Sequence, residues 1–177
     1  MKKLLLTLVA AVAMVMTAFA ASAQKAEIAF SYGGYTQMDA TDCHDGWHGV
    51  KNAWGAVTGA VNFNVARNLW VGPSYSFSST TTKGGPEHSS IAYHVIMLNG
   101  RYHYWRNSIV TLYGHLGLGC EISHMMPRHD DSYNCTYFAY QISPLGAQFN
   151  ISRSVSMFGE LGFGAQGVLQ VGFRFGL

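Results

Sequence analysis

Hydrophobic and polar positions alternate along most of this chain. The last ten residues show it best: Leu169, Val171, Phe173, Phe175 and Leu177 share one parity, and Gln170, Gly172, Arg174 and Gly176 share the other. A strand presents its two faces at period two, so one face here is apolar and the other small or polar. The same alternation recurs upstream. Ile28, Phe30 and Tyr32 share a face within about 27–35; within 54–65, Val57, Val61, Phe63 and Val65 oppose Thr58, Asn62 and Asn64. Over 69–78, Leu69, Val71, Tyr75 and Phe77 oppose three serines, and over 90–104, Ile96, Leu98, Tyr102 and Tyr104 oppose Asn99, Arg101 and His103. In 109–121, Val110, Leu112, Leu116 and Leu118 face away from Thr111, His115 and Glu121; in 155–164, Met157, Leu161 and Phe163 face away from Ser156 and Glu160. The segment 136–149 is interrupted by Pro144, which cannot donate to a ladder, and a bulge is expected there.

The connections fall into two kinds. Ala66-Arg67-Asn68, Arg106-Asn107-Ser108 and Ser152-Arg153-Ser154 are tight turns. They alternate with long polar stretches over about 38–52, 79–89 and 122–134, and the short link 164–167 comes last. Short turns on one side and long loops on the other is the layout of a barrel that crosses a membrane, with the short side towards the periplasm. A two-sheet sandwich has no reason to keep that rhythm. The pattern predicts an all-β fold, an eight-stranded antiparallel up-and-down transmembrane β-barrel. A soluble lipocalin-like barrel is the alternative, and it requires the apolar parity to face inward. The facing of Arg174 against Phe173 and Phe175 separates the two.

The start of the chain gives an address. Lys2 and Lys3 precede an apolar run from Leu4 to about Ala21, which ends in Ala21-Ser22-Ala23. A charged start, an apolar stretch and a small-residue site form a secretory signal peptide, so 1–23 is expected to be removed and the barrel domain to span 24–177. An uncleaved membrane anchor is the competing reading. Of the 11 basic residues, two leave with the leader, and the mature chain then holds nine basic and nine acidic residues. A neutral chain with scattered charge has no electrostatic footprint for nucleic acid. After the leader no apolar run is long enough for a helical span, and a spanning chain without helices must close its backbone in a barrel.

Phe158-Gly159-Glu160-Leu161-Gly162-Phe163-Gly164, followed by Val171-Gly172-Phe173-Arg174-Phe175-Gly176-Leu177, resembles the small outer-membrane β-barrel family common in Bacteroidetes. Ser143-Pro144-Leu145-Gly146 and Asn68-Leu69-Trp70-Val71-Gly72 resemble it too. The resemblance implies partners in outer-membrane lipids and the barrel assembly machinery, and it implies no reaction. It departs from the pattern at the end, where many such barrels place an aromatic residue and this chain has Leu177, with Phe175 two positions earlier.

The candidate chemistry is sparse, and no cofactor is expected. An eight-stranded barrel is just wide enough for side chains to fill it. The inward parity supplies Arg101, His103, His115, Glu160, Gln170 and Arg174. Glu160 and Arg174 lie on neighbouring strands, with Glu160 expected opposite Gln170 or Gly172 and in diagonal reach of Arg174. Arg101, Glu160 and Arg174 are the lumen ion-pair candidates, read as a structural plug, with a ligand or proton site as the sharper alternative. On that face Gly172 is expected to tolerate serine unless the hydroxyl crowds Glu160.

Three cysteines remain after the leader. Cys120 and Cys135 flank one long connection and are the disulfide candidates; pairing of either with Cys43 stays open. His44, His48, His124 and His129 are candidate metal ligands should the loops gather, although their spacing matches no standard site. His88-Ser89-Ser90 and Ser123-His124 are the nearest thing to a lipid-modifying nucleophile and base, and neither forms a recognisable motif. Trp47, Trp54, Trp70 and Trp105 read as interfacial aromatics. The expected function is a non-enzymatic surface barrel whose long loops carry an adhesion or binding role towards an unidentified extracellular ligand. A lipid-modifying or metal-capturing barrel that uses the loop histidines is the alternative.

Overall fold

The computed structural model describes residues 25–40, 54–81, 90–126 and 132–177. Eight antiparallel strands close into one up-and-down barrel, each pairing with its chain neighbours and β1 with β8. They are β1 (Ala26–Gly34), β2 (Ala56–Ala66), β3 (Leu69–Thr81), β4 (Ser90–Arg106), β5 (Val110–Met126), β6 (Tyr133–Asn150), β7 (Val155–Gly164) and β8 (Leu169–Gly176), with one helical turn, α1 (Gln37–Ala40), after β1.

The alternation decides which face is which. Phe173 and Phe175 are exposed on the outer wall, whereas Arg174 is buried in the lumen. The outer wall is a continuous apolar surface that includes Phe30, Leu98, Leu116, Leu118, Leu161 and Val171. Apolar outside and charged inside is the facing of a membrane barrel, since a lipocalin-like barrel has the reverse.

The eight strands differ in length. β1, β2, β7 and β8 have 9, 11, 10 and 8 residues, about what a tilted strand needs to cross a bilayer. β3 has 13, and β4, β5 and β6 have 17, 17 and 18. The excess lies at the long-loop end, because Gly164, the last residue of β7, pairs with Gln141 of β6. β6 therefore continues for eight residues, 133–140, beyond its neighbour. At about 3.3 Å per residue that is roughly 25 Å of strand. Residues 122–126 and 133–134, expected in a loop, belong to this raised sheet.

The expected irregularity at Pro144 is present: the register of β6 shifts against β7 between Ile142 and Leu145, and that of β5 against β6 between Tyr113 and His115. The shift takes up extra residues and returns Gly146 and Gln148 to the inward face. At the raised corner the Gln37 side-chain amide donates to the Phe138 carbonyl (2.9 Å) and accepts from the Tyr140 N–H (3.4 Å).

Small residues allow this narrow barrel to close. A Cβ on Gly172 would lie 2.3 Å from the Phe30 carbonyl oxygen and 2.7 Å from Ser31 Cβ. The expected tolerance of Gly172 to serine is therefore corrected: crowding comes from the β1 backbone, which cannot step aside.

Candidate functional site

The lumen nearest the short turns holds a network of buried charges. Glu27 Oε1 accepts from Arg101 Nη1 at 2.7 Å and from Asn62 Nδ2 at 3.1 Å, and Arg174 Nε lies 3.5 Å away. Glu160 Oε1 accepts from Arg174 Nη2 at 3.1 Å and from the Tyr113 hydroxyl at 2.8 Å. Its other oxygen, Oε2, is 2.8 Å from His115 Nδ1, and His115 Nε2 is 3.1 Å from Asn99 Oδ1. The Arg174 guanidinium also stacks on the Phe158 ring at 3.7 Å, and Arg101 packs on Trp70 at 5.2 Å. Two arginines face two glutamates, so the layer is formally neutral, as buried charge requires.

The structure brings together Glu160 and Arg174, the sequence candidates on adjacent strands. Glu160 stands opposite Gln170, within diagonal reach of Arg174. Arg101 pairs with Glu27 of β1, 74 residues away across the lumen. Sequence reading missed Glu27 and Tyr113, although both lie on the inward parity of their strands. It also missed Gln166. The link between β7 and β8 tucks this residue into the barrel, where its Nε2 donates to Ser74 Oγ (3.0 Å) and its backbone N–H to Gln141 Oε1 (2.9 Å). Positive φ at Gly164 (138°) and Gly167 (105°) permits the inward fold of that link.

Above the Gln166 level the lumen changes character. Ile91, Tyr93, Val95 and Met97 of β4 turn inward with Met125 and Ala139, and Met38 of α1 and Ala165 complete a buried apolar cluster. Between the charged and apolar parts a cavity of about 40 Å³ remains, lined by Ser31, Thr58, Asn62, Arg101 and Glu160 among others. That is room for two or three waters at about 15 Å³ each. A general diffusion pathway does not fit such a lumen.

The remaining candidates separate. Cys120 and Cys135 are free thiols, which corrects the expected disulfide. Cys120 pairs with Phe138 on the outer face and Cys135 with Ser123 on the inner face. The two sulfurs thus sit on opposite sides of the wall and three register positions apart, too far for a bridge. Trp70 is corrected as well: it turns into the lumen against Arg101 and His103 and is not an interfacial aromatic. Trp54 and Trp105 are exposed. His124 lies on the raised sheet with its Nδ1 beside Asn134 Oδ1. His44, His48 and His129, together with Cys43, Trp47 and His88, lie outside the described residues. Among the described residues no three His, Cys, Asp or Glu side chains gather as a metal site.

A family model described as outer membrane protein beta-barrel domain matches residues 6–163. The chain belongs to that family. Its fold is similar to the N-terminal β-barrel domain of Pseudomonas aeruginosa OprF, at 12% identity and a TM-score of 0.51 over 88% of this chain and 98% of that one. It is also similar to Ail, the attachment invasion locus protein of Yersinia pestis, in complex with the heparin analogue sucrose octasulfate. There the identity is 15% and the TM-score 0.48, over 86% of this chain and 93% of Ail. No curated protein matches the chain. The family places the barrel in an outer membrane, and these identities speak to fold alone.

Proposed function

We propose that this protein is a non-enzymatic surface barrel that holds a raised sheet outside the outer membrane as a binding or adhesion platform. The raised sheet carries the reading: β4, β5 and β6 run well beyond the strands that close the rest of the barrel. Extended β-structure is a costly way to join two strands that a short loop could connect, so its retention points to what it presents. The filled lumen supports the same reading, because a plugged barrel serves as an anchor. Its mature form spans 24–177 after removal of a signal peptide, in the outer membrane of a Gram-negative cell, with barrel assembly machinery and membrane lipids as its assembly partners.

Two measurements test this. On intact cells, Thr136→Cys should react with a membrane-impermeant maleimide in a Cys43→Ser, Cys120→Ser, Cys135→Ser background, and Ser108→Cys should not. The purified barrel, probed against arrays of matrix proteins and glycans, should bind at least one class saturably. A variant with serine at Tyr133, Thr136 and Phe138 should lose that binding while remaining folded. Labelling of Ser108→Cys alone, or array binding unchanged by the triple variant, overturns the proposal.

A further inference from the structure

The formal neutrality of the mature chain conceals an uneven division of charge between its long and short connections. The three long connections, 35–55, 82–89 and 127–132, hold six acidic residues and three basic ones. The short-turn end holds Lys25, Arg67, Arg106 and Arg153 and, outside the paired lumen layer, no acidic residue. These four cations line a single open concavity of about 670 Å³ at the mouth of the lumen. Arg67 and Arg153 are carried by the β2–β3 and β6–β7 turns, and Lys25 leads into β1. Arg106 Nη2 lies 2.7 Å from His103 Nδ1, which holds this guanidinium over the opening. The one acidic side chain in the lining, Glu27, is already bound to Arg101 at 2.7 Å. Trp70 also lines the mouth, and its indole N–H is out of water without an acceptor among the described residues.

Four cations around one concavity outnumber the Leu177 carboxylate that also lines it, and a mouth with this excess of positive charge favours a ligand that supplies further negative charge. Three of them are arginines, whose planar forks match carboxylate and phosphate oxygens in pairs. The concavity is axial. The lipid-facing rim at the same end is formed by Tyr104, Trp105, Ile109 and Ile151, all exposed and none charged. Lipid headgroups beside the wall therefore meet aromatic and aliphatic side chains, whereas a ligand rising along the axis meets the cations.

We infer that the short-turn mouth of the barrel is a binding site for an oligoanion, a molecule with two or more phosphate or carboxylate groups, taken up from the periplasmic side along the barrel axis. The site is separate from the raised sheet and does not depend on what that sheet binds.

The test uses the full mature chain in phosphatidylcholine nanodiscs, titrated calorimetrically with inorganic tripolyphosphate and, in a second series, with a short poly-glutamate. Saturable one-to-one binding is expected, weakening at least tenfold between 50 and 500 mM salt (chosen titration conditions) because exposed charge is screened. The triple variant Arg67→Gln, Arg106→Gln, Arg153→Gln should lose at least tenfold in affinity. Lys51→Gln, Lys83→Gln, Arg128→Gln removes the same charge from the long connections and should stay within twofold of the parent. Should the first triple variant fail to fold, Arg153→Gln alone carries the comparison, with a threefold loss expected. Which series binds tells phosphate from carboxylate. Equal losses in both variants, or no saturable binding in either series, overturn the inference. So does loss of binding when phosphatidylglycerol replaces phosphatidylcholine, because lipid headgroups would then fill the mouth.

Discussion

Towards the short turns, Glu27, Arg101, Glu160 and Arg174 fill the lumen; towards the long connections, Ile91, Tyr93, Val95 and Met97 of β4 fill it, closed by Met38 and Met125. Both halves fill the lumen with side chains, yet they fail differently. In the charged half each carboxylate and each guanidinium has at least one named partner, and loss of one leaves another buried without compensation. In the apolar half, where Glu121 held by the Ser123 hydroxyl (2.9 Å) is a buried exception, contacts are many and individually weak, and neighbours can relax into a gap. The first half fixes which strands face each other across the lumen; the second contributes cohesion without choosing partners.

The largest effect is expected from Glu160→Ala. It strands the Arg174 guanidinium, the Tyr113 hydroxyl and His115 together and should destabilise by about 3–5 kcal/mol in urea unfolding from lipid vesicles. Adding Arg174→Met should recover at least half of that. A double variant no better than the single would show that the layer's charges act independently, and the contrast between the halves would lose its basis. On the outer wall, Phe173→Arg should cost about 2–4 kcal/mol if it sits near the bilayer midplane. Ala60→Ser, at the 40 Å³ cavity, should be much milder. Comparable losses for the two would contradict the facing of the strands. In the apolar half, Ile91→Val should cost about 0.5–1.5 kcal/mol, the ordinary range for a lost methylene. A loss as large as that of Glu160→Ala would mean that this half, too, depends on single contacts. The smallest expectation concerns metal: added Zn²⁺ should leave the unfolding midpoint unmoved, since a real site would raise it by mass action. A stoichiometric sub-micromolar site abolished by His44→Ala, His124→Ala would reverse that.

The fold was legible because strand facing is a local property. Each residue's parity is set by its neighbours, and the apolar parity on β8 leaves no ambiguity. The Glu160–Arg174 contact was legible for a related reason: a short link between β7 and β8 nearly determines their register. The Glu27–Arg101 contact was not, because it joins β1 to β4 across the lumen and no pairing rule spans that distance. The apolar half was hidden in another way. Along β4, Ile91, Val95 and Met97 alternate with Ala92, Ile96 and Leu98, so both faces are apolar and period two vanishes. The inward turn of Gln166 had only the glycines at 164 and 167 as a signal.

The clasp formed by Gln37 on β6 matters for how copies of the protein meet one another. Where β6 outruns β7, no strand among the described residues pairs with that side of it, the sort of edge on which chains add to one another. The Gln37 amide has the same donor and acceptor pair as a peptide unit, and it occupies the Phe138 and Tyr140 positions as the next strand would. One side chain thus stands in for a missing strand at the point where β7 stops. It thereby occupies two of the backbone groups on which a strand of another chain would add.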